Sequence, residues 1–277
     1  MGLIEFTCAV LLMSVLAGLL GALTGLGGGV VIVPVLAILF HVDLRYAIGA
    51  SLVSVIATSS GAAVSYVREG FSNVRIGMFL EVATTVGALV GAYLTARVST
   101  HSIGILFGVT LLYSAWSTFR QPHGPAPQVH NATAERLNLK GDYPVGNGRE
   151  AYIAQNVPAG FGIMFIAGIL SGLLGIGSGA VKVLAMDHAM KLPFKVSTTT
   201  SNFMIGVTAA ASAGVYLGRG YISPGLAAPV MLGVLCGSLI GARLLVRMRV
   251  PVLRVIFAVV IVALGVEMIY SGATGRL

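Results

Sequence analysis

The sequence predicts an all-α polytopic membrane protein made of two tandem repeats of about four transmembrane helices each, with a short broken or re-entrant helix after a glycine-rich run in each repeat. Three observations predict it. Hydrophobic residues make up 56% of the chain and charged residues 9%, with a mean hydropathy of +0.94. A soluble surface carries about 25% charged residues, so a body of 28.5 kDa with this composition cannot face water. Second, Gly25-Leu26-Gly27-Gly28-Gly29 is echoed by Gly175-Ile176-Gly177-Ser178-Gly179, 150 residues later. Third, the same offset pairs Gly18 with Gly168, Ser51 with Ser201, Tyr66 with Tyr216, Gly87 with Gly237 and Arg97 with Arg247. Glycine-interrupted apolar segments in corresponding places of two halves point to a transporter's central site.

A crossing helix takes about 20 apolar residues. Long apolar segments fall at 3–24, 44–67, 74–97 and 102–119, then at 158–174, 194–217, 224–246 and 251–270. The first lacks the positive start of a secretory signal, with Glu5 in its place, and reads as a mature transmembrane helix. After each glycine run comes a shorter piece, 30–40 and 180–190, too short for an easy crossing; Pro34 fits irregular backbone there. The domains are therefore 1–119, the first transmembrane repeat, 120–157, a polar inter-repeat loop, and 158–277, the second repeat. Pro122, Pro125, Pro127 and Pro144 mark the loop as a flexible linker rather than a catalytic domain. Asn131-Ala132-Thr133 matches a glycosylation sequon, a tripeptide common by chance.

The 17 Lys and Arg outnumber the 9 Asp and Glu. They sit mainly at the ends of apolar segments, where they orient helices in a bilayer, and no basic run with interleaved aromatics suggests nucleic acid. Arg45, Arg97, Lys191, Lys195, Arg243, Arg247 and Arg249 follow the short pieces and the third long helices, whereas Arg68, Arg75 and Arg219 lie in the other loops. The positive-inside rule then favours parallel repeats of four spans, with both termini outside. The rival is five plus five spans, the short pieces crossing and the halves inverted. Cys8 and Cys236 lie within apolar segments and suggest neither a disulfide framework nor a metal site.

Backbone that leaves helical geometry in a membrane must be buried in protein or line a watery cavity. The residues Gly27, Gly28 and Gly29, with Gly177, Ser178 and Gly179, are candidate anion-binding backbone, since a helix start presents unpaired N–H groups. Close helix packing is the competing explanation. Lys182 follows the second run, where the offset places the apolar Ile32 in the first half. A lysine at membrane depth is expensive and suggests an anionic ligand, or else it snorkels to the interface. Asp187 and His188 close the same piece and could relay a proton, or serve as a loop cap, a reading strengthened by His41 and Asp43 in a similar loop of the first half. The polar stretch Lys195-Val-Ser-Thr-Thr-Thr-Ser-Asn202 opens the next helix; Ser201, its repeat partner Ser51, and Asn202 are candidate oxyanion ligands. Glu81, Glu267 and Arg243 also lie in apolar segments and are left outside the site.

These residues resemble the TauE/SafE family of sulfite-exporter-like membrane proteins. The resemblance rests on Gly21-Ala-Leu-Thr-Gly-Leu-Gly-Gly-Gly29 with Pro34, Gly172-Leu-Leu-Gly-Ile-Gly-Ser-Gly179, and Lys195–Asn202 followed by Phe203-Met-Ile-Gly-Val-Thr208. It implies a secondary transporter of small anions, sulfur-containing oxyanions or organosulfonates, in the cytoplasmic (inner) membrane. No cofactor is expected, and the partners are a small anion and the lipid bilayer, with a homo-oligomer left open. No ATP-binding motif is present. A passive anion channel is the alternative; an embedded enzyme would need a nucleophile–base pair or metal cluster that no His or Cys spacing supplies.

Overall fold

A computed structural model describes residues 2–24, 28–68, 72–119, 132–145, 148–245 and 250–276. Gly27, Asn131, Arg247 and Arg249, all singled out in the sequence, lie outside the described residues.

The first half contains α1 (Leu3–Thr24), α2 (Gly29–Pro34) continuing as a π-helical turn π1 (Val35–Leu39), α3 (Leu44–Arg68), α4 (Val74–Leu94) and α5 (Thr100–Phe119). The second contains α7 (Val157–Leu174), α8 (Gly179–Leu184) with π2 (Ala185–Ala189), α9 (Phe194–Gly218), α10 (Pro224–Leu245) and α11 (Val250–Thr274). Many of these bounds recur at the offset of 150 residues, including the start and end of both π-turns. The turn closing each short piece also recurs. His41 and Lys191 are left-handed, and Val42 and Leu192 donate backbone bonds to Leu36 and Met186. Four described helices, α1, α4, α7 and α10, are long and apolar enough to cross a membrane.

Packing fixes how the helices run. Gly168 and Gly172 of α7 abut the carbonyls of Thr84 and Ala88 on α4, so these two helices are parallel. Gly233 and Gly237 of α10 abut the carbonyls of Leu11 and Val15, so α1 and α10 are parallel too. At each contact the absent side chain lets one backbone sit directly on another, the close approach that small residues allow in membranes. Two further pairs run the other way. On α9, Gly206 meets Ser59 near the middle of α3, while Tyr221 just beyond α9 stacks edge-on with Tyr46 at the start of α3, 5.8 Å between centroids. On α11, Gly265 and Gly272 meet Gly108 and His101 of α5. Both α3–α9 and α5–α11 are therefore antiparallel.

This overturns the parallel arrangement expected from the cations. Helices in corresponding places run in opposite directions, and the short pieces are the reason. Ser178, just before α8, donates to the Ala167 carbonyl of α7, while Met190, just after π2, packs on Gly160 and accepts from the Gln155 N–H. The piece thus retraces α7 to its beginning. In the first half Gly28 lies against Gly18, and Phe40 meets Phe6 with centroids 5.6 Å apart. Each short piece thus runs back along the helix before it, so each half holds five successive helical runs among the described residues. The cation grouping misled because Arg45 and Lys195 open antiparallel helices and so lie at opposite ends.

The described part of the stretch between the halves, 132–145 and 148–156, has structure of its own. Residues Lys140–Val145 (β1) and Gly148–Ile153 (β2) pair antiparallel after a short helix, α6 (Ala132–Arg136). Tyr143 and Tyr152 are buried in a cluster with Ile76, Met190, Leu192 and Val196. Asn73 fastens it: its side chain accepts from the Ile76 N–H as the cap of α4 and donates to Tyr152 Oη at 2.9 Å, while its own N–H donates to Thr200.

Candidate functional site

The two glycine breaks meet. Gly29 lies against Ser51 and Val55 of α3 and the carbonyl of Gly175; a β-carbon built on it would fall 2.6, 2.8 and 3.2 Å from these groups. Ser51 Oγ donates to the Gly175 carbonyl at 2.8 Å, and Ser201 Oγ donates to the Gly179 carbonyl at 3.2 Å. Each central helix thus supplies one buried hydroxyl to the second break. Gly175 (φ +67°) and Gly177 (φ +70°) are left-handed, which glycine accepts at no steric cost. Ser178 is left-handed as well (φ +44°), whereas its counterpart Gly28 is right-handed (φ −65°). The breaks are therefore unequal in backbone as well as in sequence. Between them lies a cavity of about 10 Å³, room for about one water, lined by Val30, Ile176, Ser178, Gly179, Val181 and, from α5, Thr110 and Ser114.

Lys182 lies one turn beyond Gly179 and is wholly buried. It does not snorkel. Its Nζ donates to Thr208 Oγ1 of α9, and Thr208 Oγ1 donates in turn to Glu81 Oε1 of α4 at 2.6 Å. Thr85 donates to the same oxygen at 3.1 Å. The second carboxylate oxygen, Oε2, faces Nζ at 4.0 Å and is buried without a hydrogen bond among the described residues. The cluster is one-sided. At the offset of 150 residues, Lys182, Thr208 and Glu81 correspond to Ile32, Thr58 and Met231.

Glu81 and Thr208 were outside the sequence-derived site. A carboxylate within the apolar α4 is a signal by its cost alone, but its partner is identified only once α4 and α9 run side by side. Asp187 and His188 lie at the far end of the broken piece; Asp187 is buried, and His188 Nε2 is 3.7 Å from its Oδ2. The partners that Lys182 finds are Thr208 and Glu81. Asn202 is half-buried on α9 and has no hydrogen bond among the described residues.

A model of the family described as "Sulfite exporter TauE/SafE" matches residues 10–268. The chain belongs to this family. Together with its apolar helices, that makes it a multi-pass membrane protein. It is 26% identical over 268 residues to the probable membrane transporter protein YunE of Bacillus subtilis (strain 168), covering 94% of this chain and 96% of that protein. It is also 25% identical over 240 residues to the probable membrane transporter protein YdhB of the same organism, covering 84% and 88%. The probable membrane transporter protein MJ0441 of Methanocaldococcus jannaschii is 22% identical over 268 residues, covering 92% of each chain. No solved structure matches the chain.

Proposed function

We propose that this TauE/SafE chain is a secondary transporter of small anions, sulfur-containing oxyanions or organosulfonates, working by alternating access across the cytoplasmic membrane. One observation carries the reading. A fully buried lysine, Lys182, sits on the broken crossing one turn from where the two glycine breaks touch. A buried ionisable group in a bilayer marks a pathway, and its sign suits an anion. The anion would sit between the breaks, with Lys182 supplying charge. Ser51, Ser178, Ser201 and the backbone of Gly28–Gly29 and Gly177–Gly179 would surround it, with Asn202 at the edge.

The reading extends to topology. The recurrent bounds and the exchanged partners support two copies of one unit in inverted orientation, each of five passes. Rocking one copy against the other would open the junction to each side in turn. The described space between the breaks is water-sized, smaller than an oxyanion, so binding one would need the junction to widen.

The test is uptake into proteoliposomes of sulfite, sulfate, thiosulfate, sulfonates and carboxylates. At least one sulfur anion should be accumulated, and Lys182→Ala should abolish that. If none moves, or if Lys182→Ala leaves uptake intact, the proposal falls.

A further inference from the structure

We propose that Glu81 is the proton site of the transport cycle and that it shares Lys182 with the anion, so the carboxylate must take up a proton before the ammonium can serve a substrate. This rests on the anion reading above. The geometry of the pair supports it. A closed structural pair would place ammonium and carboxylate at about 2.7–2.9 Å, whereas here Nζ and Oε2 stand 4.0 Å apart and Oε2 has no hydrogen bond among the described residues. An ammonium has three donors; Lys182 commits one, to Thr208. Both members are half-satisfied, which in a buried site is the arrangement open to a third participant. Thr208, bonded to Nζ on one side and Oε1 on the other, holds lysine and carboxylate in register.

Charge makes the two ligands interdependent. With Glu81 ionised, the pair is neutral and offers an anion nothing. With Glu81 protonated, Lys182 carries one uncompensated positive charge, which a monoanion restores to zero. One proton and one monoanion then move in the same direction with no net charge. Among the elements packed on α4, α7 carries no titratable side chain, and α8 carries Lys182. On α9, Lys195 and Tyr216 lie about 20 Å and about 12 Å along the axis from Thr208. Asp187 and His188 are on π2, and Arg75 and Tyr93 are at the two ends of α4 itself. Glu81 and Lys182 are thus the titratable groups that face each other.

By linkage, protonation and anion binding strengthen each other by the same factor. The test uses purified full-length protein and methanesulfonate, which stays a monoanion throughout. Affinity should weaken roughly tenfold per pH unit on the alkaline limb, with about one proton taken up per anion bound in unbuffered solution. Glu81→Gln, which keeps an acceptor for Thr208 but cannot ionise, should lack the wild-type slope and hold its affinity until Lys182 itself loses its proton. A flat wild-type profile without proton uptake overturns the proposal, as does a Glu81→Gln profile that keeps the slope. Should Glu81→Gln fail to fold, wild-type proton uptake alone decides. No methanesulfonate binding at any pH would sink the anion reading itself, and this proposal with it.

Discussion

Ser51, from the central helix of the first half, donates its hydroxyl proton to the carbonyl of Gly175 in the break of the second half. That bond joins the two breaks through a backbone group that no helix can satisfy. Removing it with Ser51→Ala leaves a buried carbonyl unpaired, at a cost of about 1–3 kcal/mol. Thermal unfolding in detergent should show the loss, and uptake should fall with it.

Gly29 has no room for a side chain. Its β-carbon would press on Ser51, Val55 and the Gly175 carbonyl at once, and the last is backbone. Gly29→Ala should cost about 1–3 kcal/mol through overpacking and stop uptake. Gly214→Ala, where nothing lies within 4 Å, should leave both stability and uptake near wild type.

The inverted arrangement separates cations that a parallel one would put together. Arg97 follows α4, and Lys191 follows π2. Single cysteines at these positions should react with an impermeant reagent from opposite faces of the membrane. Labelling of both from the same face would restore the parallel topology.

The Lys182–Glu81 pair should give a strongly non-additive mutant cycle. Either Lys182→Met or Glu81→Met alone leaves a buried charge uncompensated, at about 3–5 kcal/mol. The double variant should be markedly more stable than the sum of the two, as read by thermal unfolding. Additive losses would mean that the two groups do not feel each other.

Burial holds the Tyr152 hydroxyl above its ordinary pKa of 10.0, more than the Asn73 bond lowers it. Because the docked state keeps its proton to higher pH than the free hairpin, docking is full below the ordinary value and is lost as pH climbs past the raised one. Limited proteolysis of the 132–154 segment should accelerate above that range. Tyr152→Phe, which removes a bond worth about 1 kcal/mol, should raise proteolysis at neutral pH.

What could be read in advance was local cost. The glycine runs, the buried Lys182 and the repeat-related Ser51 and Ser201 each violate the economy of an apolar helix on their own, so composition exposes them. Partnership is different. Glu81 becomes meaningful only when α4 lies parallel to α9, and no spacing in the chain states that. Helix direction was misread because Arg45 and Lys195, equivalent by offset, ended at opposite ends. The hairpin has a signal of its own in the chain, Gly146-Asn147 between two short runs, which the linker expectation does not use.

The exchange of partners across the halves has a consequence for how the protein is made. Helix α1 packs along α10, and α4 along α7, so α1, once made, finds its main neighbour only about 220 residues later. At about 5–20 residues per second that is a wait of roughly 10 to 40 seconds. Throughout it, the grooves that will receive another backbone lie open to lipid. Insertion and assembly are therefore separate events in this molecule, and whatever attends the nascent chain must shelter α1 until α10 arrives.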